Sequence, residues 1–412
     1  MSHRPFPSVS RLSRRTTIAI GALALMLAAA PFLPRSGPQP AIENATDAGP
    51  AGLAGATAGT GAVTPAMRAE IDRVLGAARA SGRATQGRTL SPAALVRDQV
   101  RCATFEGQRY CLHSGWTRST QAQVVTELSR TAADAARRTP RESTGDLDPL
   151  ALLRQRQRMP LEARLRADRA ELTDAARSVA KVWLLRNQVQ GTPLPTGFLA
   201  AHPEVRLRTA SGDPAATTQP KKASDYPERG YVLTSKRTTE QTRTYWCGPT
   251  TMQMIGWGWR YKRSQKTWAN RLGTTRDGSS ITNLVGATNR YTGWDQERYA
   301  GRYIVLDIKD WSYGRWYLLQ MRHYGDYRAP VILHPVLLKK WYPYLDDDAS
   351  GHFQVGRGWN KNGDKANLLR YFEPWNQQRF DPSEPYIARS QERSAYRSYR
   401  ANKEHFQHNI GV

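Results

Sequence analysis

The chain has 412 residues, of which 39% are hydrophobic, and it contains 12 tryptophans and 18 tyrosines. This composition excludes a wholly disordered chain, and the length favours two domains plus a targeting segment. The formal net charge of +25 favours contact with polyanions such as an anionic cell wall or a membrane surface. A basic, solvated surface without a partner explains the charge equally well, and we expect no nucleic-acid partner.

Residues 1–34 have the features of an export signal. A basic stretch without acidic residues precedes an apolar run over 18–30, which is too short for a typical membrane-spanning helix. The basic stretch holds four arginines: Arg4, Arg11, Arg14 and Arg15. An arginine pair in this place also occurs in bacterial twin-arginine signals. We therefore expect a secreted, extracellular or cell-surface protein, with the signal either cleaved or kept as an anchor.

Composition divides the remaining chain into four parts. Residues 35–64 are rich in Ala, Gly, Pro and Thr, and residues 191–227 contain two proline-bearing runs, so both predict linkers. Between them, residues 65–190 have apolar residues at helical spacing and predict a mostly helical region. Residues 228–412 are aromatic-rich and less regular, and they end in a polar tail.

Local signals place several helices in the region 65–190. Thr64-Pro65 and Ser91-Pro92 each offer a capping side chain followed by a proline at the first helical position. The strongest pattern follows Pro160 and predicts one amphipathic helix. Its apolar stripe comprises six residues: Leu161, Leu165, Leu172, Ala176, Val179 and Trp183. No residue in this region is expected to carry chemistry, and the lone His113 is expected to be structural.

The three cysteines fall into a pair and a single residue. Cys102 and Cys111 flank Glu106-Gly107, a turn signal between two short alternating segments. Cysteines that face each other across a hairpin can reach disulfide geometry. If these two are paired, Cys247 is left over, and an odd cysteine in an exported protein is either an intermolecular link or a functional thiol.

Cys247 lies in the segment Tyr245-Trp246-Cys247-Gly248-Pro249. A proline suits the first turn of a helix, so the segment predicts a helix that begins near Pro249 with Cys247 at its N-terminus. The free N–H groups and the helix dipole favour an anion there, which predicts a lowered pKa for the thiol. A small buried hydrophobic residue is the alternative interpretation of a lone cysteine.

Four strands are predicted after this helix, over residues 303–306, 331–333, 352–355 and 367–372. A helix followed by antiparallel strands indicates an α+β fold.

A thiolate nucleophile needs a base, and His352 is the best candidate because it begins a predicted strand after the small residue Gly351. Its rivals downstream of Cys247 are His323, His334, His405 and His408. Glu373 ends the neighbouring predicted strand and is the favoured partner to hold the imidazole ring. The rivals for that role lie in the intervening turn: Asn360, Asn362 and Asp364. The backbone N–H of Cys247 and the side-chain amide of Gln241 are the expected oxyanion donors.

This ordered series of Gln, Cys-Gly-Pro, Gly-His-Phe and Glu-Pro resembles the C39-like peptidases, a papain-fold family of cysteine peptidases. The resemblance covers residues 228–376 and implies a catalytic domain of a helix plus an antiparallel sheet. It implies catalytic roles for Cys247, His352, Glu373 and Gln241, a peptide or protein substrate, and no metal or organic cofactor. The family usually has Asp where this chain has Glu373.

Alternatives remain open at this level. A cell-wall amidase or endopeptidase on the same type of fold would suit the positive charge. A catalytically inactive wall- or protein-binding module would suit the unusual Glu373 and the unassigned helical region. That region, 65–190, could itself be a pro-region, an inhibitor in cis or an adhesive module.

Overall fold

The computed structural model describes residues 57–58, 61–137, 142–206, 221–296, 299–363 and 366–412. The predicted signal 1–34, most of the linker 35–64 and the part 207–220 of the second linker lie outside these ranges. All described residues belong to one compact unit. In this part of the chain, no helix has the length and apolarity to cross a membrane.

The first half of the chain is mostly helical in the described residues. Its helices are α1 (Pro65–Thr85), α2 (Pro92–Gln99), α3 (Gln121–Arg137), α4 (Pro149–Gln157), α5 (Leu161–Ala176), α6 (Val179–Gln190) and α7 (Phe198–Ala201). The predicted helix starts are present in the structure. Thr64 Oγ1 accepts the N–H of Met67, and Ser91 Oγ accepts the N–H of Ala94, so each side chain satisfies an otherwise free donor of the first turn.

The prediction of a single helix after Pro160 is wrong in one respect, because the chain forms two helices, α5 and α6. They are separated at Ser178, whose φ of −109° and ψ of 5° are not helical. The Ser178 hydroxyl donates to the carbonyl of Ala175 at 2.8 Å and closes the end of α5. The apolar stripe continues across this break since Leu172 and Val179 are both buried in the core, so periodicity alone could not reveal the break.

A disulfide-bonded hairpin connects α2 to α3. Its strands are β2 (Cys102–Phe105), β3 (Gln108–Cys111) and β4 (Gly115–Thr117). Glu106 and Gly107 both have positive φ, 49° and 78°, as a tight two-residue hairpin turn requires. The turn sets Cys102 opposite Cys111 with their Cα atoms 4.0 Å apart, and the two residues form the disulfide.

The second half contains the longer strands and the remaining helices. The helices are α8 (Cys247–Gly258), α9 (Gln265–Leu272), α10 (Ile281–Tyr291), α11 (Tyr313–Gly325) and α12 (Ala395–Glu404). The strands are β6 (Arg229–Tyr231), β7 (Val305–Asp307), β8 (Val331–Leu333), β9 (Gln354–Gly363), β10 (Ala366–Phe372), β11 (Ser390–Ser394) and β12 (Asn409–Gly411). Two further strands, β1 (Thr57–Ala58) and β5 (Val205–Arg206), pair with each other. Short 3₁₀ turns lie at Ala223–Asp225 and Gln377–Arg379.

One mostly antiparallel sheet joins the two halves of the molecule. Among the described residues it has ten strands, in the order β11-β10-β9-β8-β12-β7-β4-β3-β2, with β6 paired to β9. The hairpin enters it through a parallel contact between β4 and β7, where Trp116 lies opposite Leu306. Helices combined with this sheet make the fold α+β. The strand β12 lies between β7 and β8, because Gly411 pairs with both Val305 and Ile332.

Candidate active site

Cys247 is the first residue of α8, as the proline at position 249 predicted to within a turn. Its side chain is fully buried. Gly248 is required behind it, since a Cβ at that position would lie 2.7 Å from Ser279 Oγ. The helix is tied to the strand that carries the histidine, because Thr251 Oγ1 donates to the carbonyl of Phe353 at 3.2 Å.

The predicted lowering of the thiol pKa is wrong for this structure. Burial raises the pKa of Cys247 well above its usual range, and the nearby negative charge of Asp146 raises it further. The backbone N–H groups of Phe353 and Gly248 act in the opposite direction. The helix N-terminus is thus present as expected, but removal of the sulfur from water outweighs it.

His352 and Glu373 form a buried pair beside the cysteine helix. His352 Nε2 lies 2.7 Å from Glu373 Oε1, and both side chains are fully inaccessible to solvent. The pairing follows from the sheet, because β9 and β10 are antiparallel neighbours with Phe372 opposite Val355. The other ring nitrogen, Nδ1, is buried without a hydrogen-bond partner. An imidazole held at one nitrogen by a carboxylate and unengaged at the other can accept a proton there.

The carboxylate of Glu373 accepts three further hydrogen bonds, which sequence reasoning did not find. Trp375 N–H donates to Oε1 at 2.9 Å, while Tyr344 O–H and Gln354 Nε2 donate to Oε2 at 2.9 and 2.6 Å. Four donors on one buried carboxylate fix its position. Gln354 could have been found from the sequence, since residues two apart on a strand share a face with His352.

Several of the rival residues for the base and its partner have partners away from this pair. Asn360 and Asn362 donate to Glu392 and Glu228, away from His352. Asp364 lies outside the described residues. His323 Nδ1 is hydrogen-bonded to the carbonyl of Ala329, and His408 lies 3.0 Å from Glu127.

The two expected oxyanion donors converge on one oxygen atom. Cys247 N–H donates to the carbonyl oxygen of Thr144 at 3.2 Å, and Gln241 Nε2 donates to the same oxygen at 3.0 Å. The carbonyls of Arg243 and Thr244 also accept from Gln241 Nε2, which fixes the orientation of its amide. A carbonyl between a nucleophile's own N–H and a second donor occupies the position of an oxyanion hole.

Thr144 and Asp146 were missed because they lie in the region 65–190, to which no chemistry was assigned. The Asp146 carboxylate receives two buried histidines, with His334 Nε2 at 2.8 Å from Oδ1 and His405 Nε2 at 2.9 Å from Oδ2. The two histidines lie 188 and 259 residues away from Asp146 in the sequence. No local sequence pattern could therefore indicate either contact.

The same three side chains are the one group of potential metal ligands in the described ranges. Every ring nitrogen already has a partner: His334 Nδ1 contacts Asn409 Oδ1 at 2.7 Å, and His405 Nδ1 accepts the N–H of Gln407 at 3.2 Å. Hydrogen bonds therefore account for the cluster as a closed network of buried polar groups.

A buried thiol at a helix N-terminus, next to the strand of a histidine–carboxylate pair, is the arrangement expected of a cysteine hydrolase. Residues 232–404 match the model of the Peptidase_C39 like family, which confirms the resemblance found in the sequence and suggests a cysteine-peptidase type of function. The match extends beyond residue 376 to include β11 and α12. No curated protein and no solved structure matches the chain.

Proposed function

We propose that the protein is an exported cysteine peptidase that hydrolyses peptide or amide bonds through Cys247, His352 and Glu373. The observation that carries this proposal is the convergence of Cys247 N–H and Gln241 Nε2 on a single peptide carbonyl. A site that already holds one peptide carbonyl in this way is suited to polarise another. The family match over 232–404 supports the same class of activity.

The chemistry follows from the positions of the side chains. Cys247 Sγ attacks the substrate carbonyl carbon as its proton passes to His352 Nδ1, and the carbonyl oxygen becomes an oxyanion held by Gln241 and the Cys247 N–H. The C–N bond then breaks, the His352 proton goes to the leaving amine, and a thioester remains. Water attacks the thioester, and His352 accepts the water proton. The C–S bond then breaks to release the acid, and His352 returns its proton to Cys247 Sγ, which restores the thiol.

Glu373 replaces the aspartate that is usual in the family, and its longer side chain still places Oε1 at 2.7 Å from His352 Nε2. The four hydrogen bonds on its carboxylate hold the imidazole with Nε2 protonated, which leaves Nδ1 for proton transfer. Glutamate is therefore compatible with the orienting role.

Incubation of the full chain with a proteome-derived peptide library tests the proposal, with Cys247→Ala as the matched control. New peptide termini that appear with the wild type and not with the variant are expected. Identical peptide pools for the two proteins, both in repeated long incubations and in denaturant below the unfolding midpoint, would favour an inactive binding module instead. Loss of turbidity of purified cell walls, again dependent on Cys247, would identify wall peptides as the substrate.

Export is part of this proposal, and the Cys102–Cys111 disulfide supports it. Disulfides persist in oxidising compartments and are rare in the cytosol. The arginine-rich start of the sequence and the formal charge of +25 suit passage through, and residence near, an anionic envelope. Mass spectrometry of the protein from culture supernatant and from cell fractions would locate it, and recovery only from the cytosol would contradict export.

A further inference from the structure

Residues 142–147 lie across the candidate active site. Thr144 O is held by the two oxyanion donors, and the neighbouring backbone is hydrogen-bonded on both sides. On the N-terminal side, Ser350 N–H donates to Glu142 O at 3.0 Å, and Thr144 Oγ1 donates to Gly351 O at 2.7 Å. This side of the segment is therefore hydrogen-bonded to the two residues that immediately precede His352.

The C-terminal side of the segment pairs with the residues before α10. Ser279 N–H donates to Gly145 O, and Leu147 N–H donates to Ser279 O, both at 2.9 Å. Asp148 then caps α4 by accepting the N–H of Ala151 at 2.9 Å. The segment is thus held along its length by backbone pairing and fixed at its end by a helix.

The fit at Gly145 is tight. Its φ is +106°, and a Cβ at this position would lie 2.3–2.7 Å from the backbone of Tyr245. A Cβ on the facing Gly278 would lie 2.1 Å from Gly145 O. Backbone atoms cannot rotate away as a side chain can, so only glycine allows this close approach.

Asp146 anchors the segment by charge. Its carboxylate is fully buried and is held by His334 and His405, while a Cβ on Gly351 would touch its Oδ2 at 2.2 Å. Both ring nitrogens of His334 face oxygen atoms, since Asn409 Nδ2 donates to Ser114 O and thereby presents Oδ1 to the ring. Both nitrogens of the ring are therefore engaged, and the carboxylate is fixed in place.

From these contacts we propose that residues 142–147, the active-site strap, inhibit the enzyme in cis by occupying the oxyanion hole. The inference rests on the proposed peptidase function. While Thr144 O fills the hole, no substrate carbonyl can enter it, and Cys247, His352 and Gln241 are all without solvent access. The Asp146 carboxylate also disfavours the thiolate form of Cys247. The strap thus blocks binding and reduces the reactivity of the nucleophile.

The surroundings leave room for the strap to move out. A cleft of about 1470 Å³ borders it and is lined by Ser143, Asp146, Ser350 and Gly351 among other residues. Ser143 is exposed within the strap. Displacement into this cleft would uncover the hole without unfolding α8 or β9.

Two variants are designed to loosen the strap, and one serves as the matched control. Asp146→Asn removes the charge that the two histidines hold, and Gly145→Ala introduces the Cβ that Tyr245 excludes. Ser143→Ala changes an exposed side chain of the same segment and is expected to behave as the wild type. Iodoacetamide labelling of Cys247, followed by intact mass, measures access to the thiol, and release of fluorescent peptides from labelled casein measures turnover.

We expect slow labelling of the wild type and of Ser143→Ala, and labelling of the two loosened variants faster by about tenfold or more, since loss of a buried charge partner strongly favours opening. Casein hydrolysis should rise by a similar factor. Faster labelling without any hydrolysis would support the inference that the strap blocks the site and would contradict the proposed peptidase function. Hydrolysis by the wild type at the rate of the loosened variants would support the peptidase and overturn the strap.

A second outcome would also overturn the strap. If intact mass shows a Cys247-dependent cut between Thr144 and Gly145, the segment is a substrate rather than an inhibitor. Should both loosened variants fail to fold, the wild type can be labelled across a urea series. Labelling below the global unfolding midpoint is expected, whereas labelling only together with global unfolding would contradict a separately releasable strap.

Discussion

Two buried histidine–carboxylate groups lie close to Cys247, and they differ in one respect. His352 is held by Glu373 through Nε2 and keeps Nδ1 without a partner. His334 and His405, which hold Asp146, have every ring nitrogen engaged. The first group, which we call the catalytic pair because of its proposed role, can exchange a proton. The second, which we call the anchor cluster, can only hold what it binds. The same residue types thus serve different purposes according to which hydrogen bonds are complete.

The largest expected effect separates the two groups by activity. His352→Ala should reduce peptide hydrolysis by about 10⁴-fold, since removal of one member of a catalytic unit costs nearly as much as removal of all. His334→Gln should leave hydrolysis at or above the wild-type level, because that ring only anchors the strap. Rates measured in the Asp146→Asn background, where the site is open, provide the check. Equal losses of hydrolysis from both substitutions would contradict the distinction between the catalytic pair and the anchor cluster.

Glu373→Gln should reduce hydrolysis by about 10²- to 10⁴-fold while the protein remains folded, since the amide can present its NH₂ to His352 and favour the wrong tautomer. Glu373→Asp, which restores the residue usual in the family, is the control and should retain more activity than Glu373→Gln. Steady-state hydrolysis together with thermal unfolding would show whether the loss is chemical. A parallel loss of folding in Glu373→Gln would count against an orienting role.

The anchor cluster should make stability depend on pH. Burial first, and then the neighbouring positive charge of His334, lower the pKa of His405 from 6.5 to about 3, although Asp146 acts in the opposite direction and His408 adds to the lowering. In the unfolded chain His405 is therefore protonated near pH 6.5, whereas in the folded chain it is protonated only near pH 3. Acidification through this window should reduce the free energy of unfolding, by at most about 1.4 kcal/mol per pH unit for this one proton.

Denaturant unfolding at several pH values between about 7 and 4 measures that contribution. His405→Gln is the matched variant, because it keeps a donor for Asp146 and cannot take up the proton. Its stability should fall less steeply with acidification than that of the wild type. Identical slopes for the two proteins would show that the proton uptake lies elsewhere.

The smallest effect concerns a single hydrogen bond to the catalytic pair. Tyr344→Phe removes one of the four donors on Glu373 and should reduce hydrolysis by about threefold to tenfold, in line with a net hydrogen-bond contribution of about 1 kcal/mol. Tyr386→Phe, which changes an exposed tyrosine, is a suitable control. A loss as large as that of Glu373→Gln would show that Tyr344 does more than hold the carboxylate.

Features that depend on a few neighbouring residues could be predicted from the sequence. The caps at Thr64 and Ser91, the hairpin between Cys102 and Cys111, and the helix at Cys247 each depend on a few adjacent residues. The α+β class and the family resemblance also followed from ordered local motifs. The break at Ser178 was missed because the apolar stripe does not change there.

The strap could not be predicted, for a different reason. Thr144 and Asp146 lie in a short non-repetitive segment, and their partners lie about a hundred to more than two hundred and fifty residues away. The prediction of a lowered pKa for Cys247 was wrong for the same reason. The helix N-terminus is a local feature of the sequence, whereas burial by a distant segment is not. The proposed function depends on contacts that only the folded sheet brings together.

The position of β12 has a consequence for how the chain folds. Residues 409–411 supply the strand between β7 and β8, so that the strands β2, β3, β4 and β7 meet β8, β9, β10 and β11 only through it. During synthesis these residues emerge from the ribosome after every other strand of the sheet. The sheet can therefore be completed only after residue 411 has been made, and until then the edges of β7 and β8 remain open to pairing with other chains.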